Sequence, residues 1–280
     1  MEPLRFLHIP KTAGSTFANI LISQYGCRNY FQFIGPIEKV TRRWNALTEA
    51  NRDRTRLFLC HSPLVTGIDK ADQARIITFL RNPVNRVKSF CQHVFEGKSP
   101  YLTARFPPSS FSLDDFLSSG ELELNNLQTH ILAGNAGGGA RRASLWLQGN
   151  ELLDRAWHTL VSQVYCFGLL EEFDSSILLF KEKLGWKKEP FYVQVNKKNP
   201  KLRLDFKEHH LDKIAALNRL DIELYSRANH YFMEQVGRTV SDQERSRFQQ
   251  LNKTKKPATA FKWMFIRLIL KYERVTMGST

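Results

Sequence analysis

No stretch of this chain stays apolar for the 18 residues that a membrane-spanning helix needs, so no such helix is expected. No charged-then-apolar leader precedes the first hydrophobic run at Leu4, and a secretory signal is not expected either. Cysteine is scarce. Cys27, Cys60, Cys91 and Cys166 are too scattered for a zinc site and read as buried thiols of a reducing compartment. No carboxylate or cysteine cluster offers metal ligands, so a metal is not expected. The Walker A pattern is missing, and no recognised nucleic-acid module occurs despite a net charge of +14. Acidic residues number 27 against 41 Lys and Arg, and the imbalance is uneven. The last 43 residues hold ten basic and three acidic side chains, half of the net excess. The rest is only mildly basic, which suits a small anionic ligand and an acidic acceptor better than a nucleic acid. At 280 residues, 42% of them hydrophobic, the chain can bury one large core, with or without a helical annex.

What is present begins at once. Leu4-Arg5-Phe6-Leu7-His8-Ile9 reads as an apolar strand that runs into Pro10-Lys11-Thr12-Ala13-Gly14-Ser15-Thr16, and Phe17-Ala18-Asn19-Ile20-Leu21 reads as the helix after it. The first N–H groups of a helix lack internal partners, and the helix dipole adds positive potential there. Lys11 adds a full charge, and Ser15 and Thr16 add hydroxyl donors. Lys11 precedes the turn's glycine, so this anion cradle is not a Walker loop.

Two further strand ends follow. Arg56-Leu57-Phe58-Leu59-Cys60 is a buried strand that stops at His61-Ser62-Pro63. Ala74 to Leu80 is a second, stopping at Arg81-Asn82-Pro83. Val84 to Glu96 then has helical spacing, with Val87, Phe90, Cys91 and Val94 able to share one face. Pro83 suits a first helical turn. Ser89 sits about two turns in, eight residues after Arg81. A planar guanidinium can bind two phosphate oxygens at once. In an open parallel sheet, ligands gather outside the carboxyl ends of the strands. A histidine there, with a pKa near neutrality, suits proton abstraction from an alcohol.

His8-Ile9-Pro10-Lys11-Thr12-Ala13-Gly14-Ser15-Thr16-Phe17 resembles the 5′-phosphosulfate loop of sulfotransferases that use 3′-phosphoadenosine 5′-phosphosulfate (PAPS). The resemblance is strongest to the branch of heparan sulfate and uronyl O-sulfotransferases. Arg81 and Ser89 match that family's 3′-phosphate motif in order and spacing. The resemblance implies a P-loop-like three-layer α/β fold, with a central parallel sheet flanked by helices, over about residues 4–233. It implies that backbone N–H groups from Thr12, Ala13, Gly14, Ser15 and Thr16 hold the 5′-phosphate, and that Arg81 and Ser89 hold the 3′-phosphate. His61 matches the branch's catalytic base, and Lys11 would stabilise charge on the bridging oxygen. His8 is expected to be structural or at the cofactor's edge. The implied acceptor is a saccharide hydroxyl. A non-carbohydrate alcohol or lipid acceptor stays open, as does a nucleotide kinase or an inactive nucleotide-binding protein. Animal members carry a Golgi anchor. Its absence from this sequence leaves two expectations, a soluble cytoplasmic bacterial enzyme or a trimmed chain.

The second half carries weaker signals. Asn125-Asn126-Leu127-Gln128-Thr129 resembles a family helix near the acceptor cleft, where Asn126 and Gln128 could meet a sugar; capping is the alternative. Arg141 and Arg142 end a glycine-rich loop that could close on an acidic saccharide. Asn196, Lys197 and Lys198 lie where relatives close a loop over the cofactor. Val164 to Gly168 reads as a core strand, Glu171 to Leu184 as an amphipathic helix, and Leu211 to Val236 as one long helix. The sequence divides into a 1–237 domain and a 238–280 basic extension. In the latter, 258–274 is an aromatic, basic helix that would dock on the domain or on a second subunit, or rest on an anionic inner membrane surface.

Overall fold

The computed structural model describes residues 2–61, 65–134, 147–192 and 203–254. Arg141, Arg142, Asn196, Lys197, Lys198 and the segment 258–274 lie outside the described residues. The chain runs β1 (Leu4–Leu7), α1 (Gly14–Tyr25), β2 (Tyr30–Gln32), α2 (Ile37–Asn45), α3 (Glu49–Arg54), β3 (Leu57–Cys60), α4 (Asp69–Asp72), β4 (Arg75–Leu80) and α5 (Pro83–Phe95). It continues through α6 (Pro100–Thr103), α7 (Leu113–Leu117), α8 (Leu127–Leu132), α9 (Gly149–Ser162), β5 (Val164–Leu169), α10 (Phe173–Lys183), α11 (Glu208–Leu217), α12 (Arg219–Thr239) and α13 (Asp242–Thr254).

The strands form a parallel sheet in the order β2-β3-β1-β4-β5, flanked by helices. β1, β3 and β4 are apolar almost throughout because a parallel sheet covered on both faces offers no solvated side. β1 lies between β3 and β4, and Leu7 pairs with both Cys60 and Thr78. The chain leaves β1 toward one side of the sheet and crosses back to the other before β4. The carboxyl end of β1 is therefore a topological switch point, where α/β sheets open a crevice.

Phe17 on α1 locks that helix to the sheet. Its ring meets Phe6, Phe79 and Phe180 at centroid distances of 5.0, 4.8 and 4.7 Å, and it is fully buried. The expected face of α5 is buried as read: Val87, Phe90, Cys91 and Val94 pack with Leu113, Phe116 and Ile214. The long helix expected over 211–236 is instead two. Asn218 interrupts it, because its buried side chain donates to the carbonyls of Ile214 (2.9 Å) and Leu124 (2.7 Å). Local hydrogen bonding of this kind competes with helix continuation, and apolar spacing does not register it. Past residue 237, Phe248 of α13 is 2% exposed in the main core, and Asn252 accepts a bond from Tyr192 N. Among the described residues no helix is long and apolar enough to cross a membrane.

One charge is buried within the sheet. Arg5 of β1, 2% exposed, donates from Nη1 to Asp72 Oδ1 at 2.7 Å. Asp72 also accepts from Thr66 N, Thr66 Oγ1 and Gly67 N, so a single carboxylate ties the chain after β3 to β1. Removing one partner of a buried pair strands the other charge. We expect Asp72→Ala to lower stability by about 3 kcal/mol, read as a lower urea midpoint at unchanged m-value.

Candidate active site at three neighbouring strand ends

Lys11 follows β1, His61 follows β3 and Arg81 follows β4, so strand order alone brings the three to one edge. The turn after β1 is tightly wound. Lys11 and Ala13 have φ of 71° and 74°, a left-handed conformation that non-glycine residues rarely hold. Such residues let successive N–H groups converge on one concavity. Thr12 is fully buried and its Oγ1 donates to Ile9 O at 2.8 Å, so its hydroxyl closes the turn and only its backbone remains for a ligand. Ala13 is the N-cap of α1 and provides no side-chain cap, Gly14 is buried, Ser15 is exposed and Thr16 is half-buried.

Gly14 has a steric reason. A Cβ there would lie 1.6 Å from Nε2 of His8, whose ring rests on the glycine. The same ring stacks on Phe6 (5.3 Å, 16°), two residues earlier on the same strand face. Because Leu7 pairs with Cys60 and His8 N donates to Cys60 O at 2.7 Å, the next register position brings His8 beside His61. Their Nδ1 and Nε2 atoms are 3.0 Å apart.

Arg81 crosses from β4 to the first turn, where its Nη1 donates to Lys11 O at 3.0 Å. Its Nε is buried without a hydrogen-bond partner among the described residues. The backbone of Arg81 is held by one side chain. Gln128 accepts from Arg81 N and donates to Arg81 O, both at 2.9 Å, and is itself 1% exposed. Asn82 caps α5 by accepting from Asn85 N, and Glu171 accepts from Asn82 N and from the Tyr225 hydroxyl.

Gln128 and Asn126, read from sequence as sugar contacts or caps, have their polar atoms engaged inside the fold. Asn126 Oδ1 accepts from Leu220 N and Asp221 N at the start of α12, and Asp221 accepts from Gln128 N, Thr129 N and Thr129 Oγ1 at the start of α8. The two helix starts cap each other, and the joint presents Gln128 to Arg81. Ser89 is half-buried on α5, one turn before His93.

The electrostatics are cationic and partly desolvated. Burial, then the charges of Arg81 and Lys98, bring the Lys11 ammonium down to about 8, against an upward pull from Glu96. Burial likewise lowers Arg81, partly offset by Glu171. Burial, then Lys11 and Lys98, hold His93 down at about 4, so its imidazole is neutral at pH 7. Neither His93 nor Lys98 stands out in the sequence. The four-residue step from Ser89 to His93 was the available signal.

No family model matches the chain. The chain is 26% identical to heparan-sulfate 6-O-sulfotransferase 2 of Gallus gallus, over 88% of its own length and 71% of that protein's. Among solved structures, mouse sulfotransferase SULT7A1 complexed with PAP aligns with a TM-score of 0.38 at 17% identity. That alignment covers 77% of this chain and 63% of the mouse chain, so the chain spans less than two thirds of that protein. The chain is thus similar, distantly, to a sulfotransferase.

The contact of His8 with Gly14 is directly testable. Gly14→Ala should destabilise by about 1–3 kcal/mol, as overpacking does. Adding His8→Ala should recover much of that loss, because the two residues occupy one volume. Equal losses in the single and double variants by urea denaturation would contradict the contact.

Proposed function

We propose that the chain is a PAPS-dependent O-sulfotransferase that transfers a sulfuryl group to a hydroxyl by in-line displacement, with a saccharide as acceptor. The observation that carries the reading is the meeting of Lys11 and Arg81. Two desolvated cations from adjacent strand ends bear on one left-handed turn, and their mutual repulsion is part of what lowers Lys11. A fold tolerates this where an anion relieves it. The orphaned Nε of Arg81 and a helix start without a side-chain cap are donors suited to phosphate oxygens. The residues present therefore fit an anion, and the match of Arg81 and Ser89 to the 3′-phosphate motif supports a nucleotide with a second phosphate.

PAPS would supply an activated sulfuryl group on a phosphosulfate anhydride. The N–H groups from Thr12 to Ser15 would hold the 5′-phosphate, with Thr16 contributing its hydroxyl because its N–H donates to Ala13 O at 3.0 Å, and Arg81 with Ser89 the 3′-phosphate. Lys11 would neutralise charge developing on the bridging oxygen, and His61 would remove the proton of the acceptor hydroxyl. Gln128 would keep Arg81 aimed at its phosphate. Asn196, Lys197 and Lys198 would add cofactor contacts, and Arg141 and Arg142 acceptor contacts. The saccharide acceptor rests on the name of the Gallus gallus relative and on the resemblance of its branch. The 238–280 extension, whose α13 packs on the main core, with 258–274 docked on the domain or a second subunit, is part of the same proposal.

Thermal-shift titration tests the cofactor. Adenosine 3′,5′-bisphosphate should stabilise the protein by about 2.7 kcal/mol at a hundredfold excess over its Kd, and ATP far less. Stronger stabilisation by ATP would overturn the reading. Affinity should also depend on pH with a definite sign. Lys11 has a pKa of about 8 in the free protein, and a bound phosphate raises it, so binding above that pH takes up a proton. Affinity should hold near pH 7 and fall about tenfold per unit above pH 8. Lys11→Arg should flatten that fall in isothermal titration. For the chemistry, His61→Ala should lose sulfuryl transfer by about 100-fold or more while binding adenosine 3′,5′-bisphosphate as before.

A further inference from the structure

The pairing of His8 with His61 was not foreseen from the sequence, and it bears on how a base at position 61 would work. Both rings are oriented by backbone geometry. The β1–β3 register places them side by side, with centroids 4.1 Å apart and planes tilted by 43°. His8 is further held between Phe6 and Gly14. The close atoms are Nδ1 of His8 and Nε2 of His61, 3.0 Å apart, so a single proton lies between them.

That proton can belong to either ring, and the two cases differ in consequence. If His8 Nδ1–H donates, the lone pair of His61 Nε2 is occupied and its Nδ1 carries the other proton. His61 then has no nitrogen with which to accept a proton. If His61 Nε2–H donates to His8 Nδ1, the lone pair of His61 is on Nδ1 and the ring can act as a base. We infer that His8 is a positioning residue for His61: it accepts the hydrogen bond from Nε2–H, and so assigns Nδ1 of His61 as the proton-accepting nitrogen. The inference rests on His61 being the base in the proposed sulfuryl transfer. In that step the acceptor's O–H bond breaks and its proton goes to Nδ1, the oxygen's electron pair forms the new bond to sulfur, and the bond from sulfur to the bridging oxygen would break with its pair leaving on adenosine 3′,5′-bisphosphate. His61 becomes a cation whose Nε2–H already points at a neutral acceptor atom. His8 thus holds the tautomer and the ring angle, as the orienting member of a catalytic triad does. The required tautomer of His8 carries its own proton on Nε2, the atom that lies over Gly14.

Two measurements test this, one of them independent of activity. Long-range proton–nitrogen NMR correlation on the ligand-free protein at neutral pH should show His61 protonated on Nε2 and unprotonated on Nδ1. His8 should show the same pattern. Finding His61 protonated on Nδ1 would overturn the inference. The kinetic test uses His8→Phe, which keeps a ring against Phe6, and His8→Asn, whose side-chain oxygen can stand near the former Nδ1. With PAPS and a saccharide acceptor, His8→Phe should lower kcat about 10- to 100-fold, with KM for PAPS changed less than twofold. His8→Asn should restore a substantial part of kcat. A kcat for His8→Phe within twofold of the parent would also overturn the inference. If the parent protein transfers no sulfuryl group, the proposed function fails, and the NMR tautomer still decides the pairing.

Discussion

The position of β1 between β3 and β4 is the constraint on which the rest of the molecule depends. Leu7 faces Cys60 on one side and Thr78 on the other, and Thr78 Oγ1 donates to Leu7 O at 2.8 Å. β1 and β3 end level with each other and β4 runs two residues further, to Leu80, so the residues that follow all three meet at one edge. Lys11, His61 and Arg81 are 50 and 20 positions apart along the chain, yet occupy one edge because hydrogen-bond ladders in a parallel sheet fix relative height. A one-residue slip of β3 against β1 would exchange the faces of His61 and its neighbours and dissolve the histidine pair.

Around that edge the fold sets Lys11 and Arg81 against one another, while Lys98 is ion-paired with Glu96. Lys11 feels its own burial, then Arg81 and Lys98, and His93 is kept neutral first by burial, then by Lys11 and Lys98. The carboxylates nearby serve structure: Glu171 holds Asn82 N and the Tyr225 hydroxyl, and Asp221 holds the start of α8. Excess positive potential in a partly dry crevice is unfavourable by itself and becomes favourable with an anion in place. The left-handed φ values at Lys11 and Ala13 concentrate backbone strain in the same turn.

Support for this edge comes from far along the chain. Asn126, Asn218 and Asp221 form a buried polar joint between α8, α11 and α12, and its output is the amide of Gln128 on the backbone of Arg81. The joint explains why polar residues recur in a segment that resembles an acceptor-binding helix. It also explains why a regular apolar repeat over 211–236 is broken in space. Asn218 is worth more as a triple hydrogen-bonding partner than as one further helical residue.

The sequence by itself determined the strands and the helices that follow them, because apolar runs ending in Lys11, His61 and Arg81 are local patterns that a short window contains. It also carried the features on which an anion-cradle reading of the first turn rests, since a lysine, a glycine and two hydroxyls before a helix act through neighbouring backbone. Only the tertiary structure decided which residues share the site. The His8–His61 contact needs the β1–β3 register, the lowered Lys11 needs Arg81 from another strand, and the hold of Gln128 on Arg81 needs a joint between helices some 90 residues apart. Those are long-range pairings whose geometry is set when the sheet and its helices pack, and no spacing within one segment encodes them.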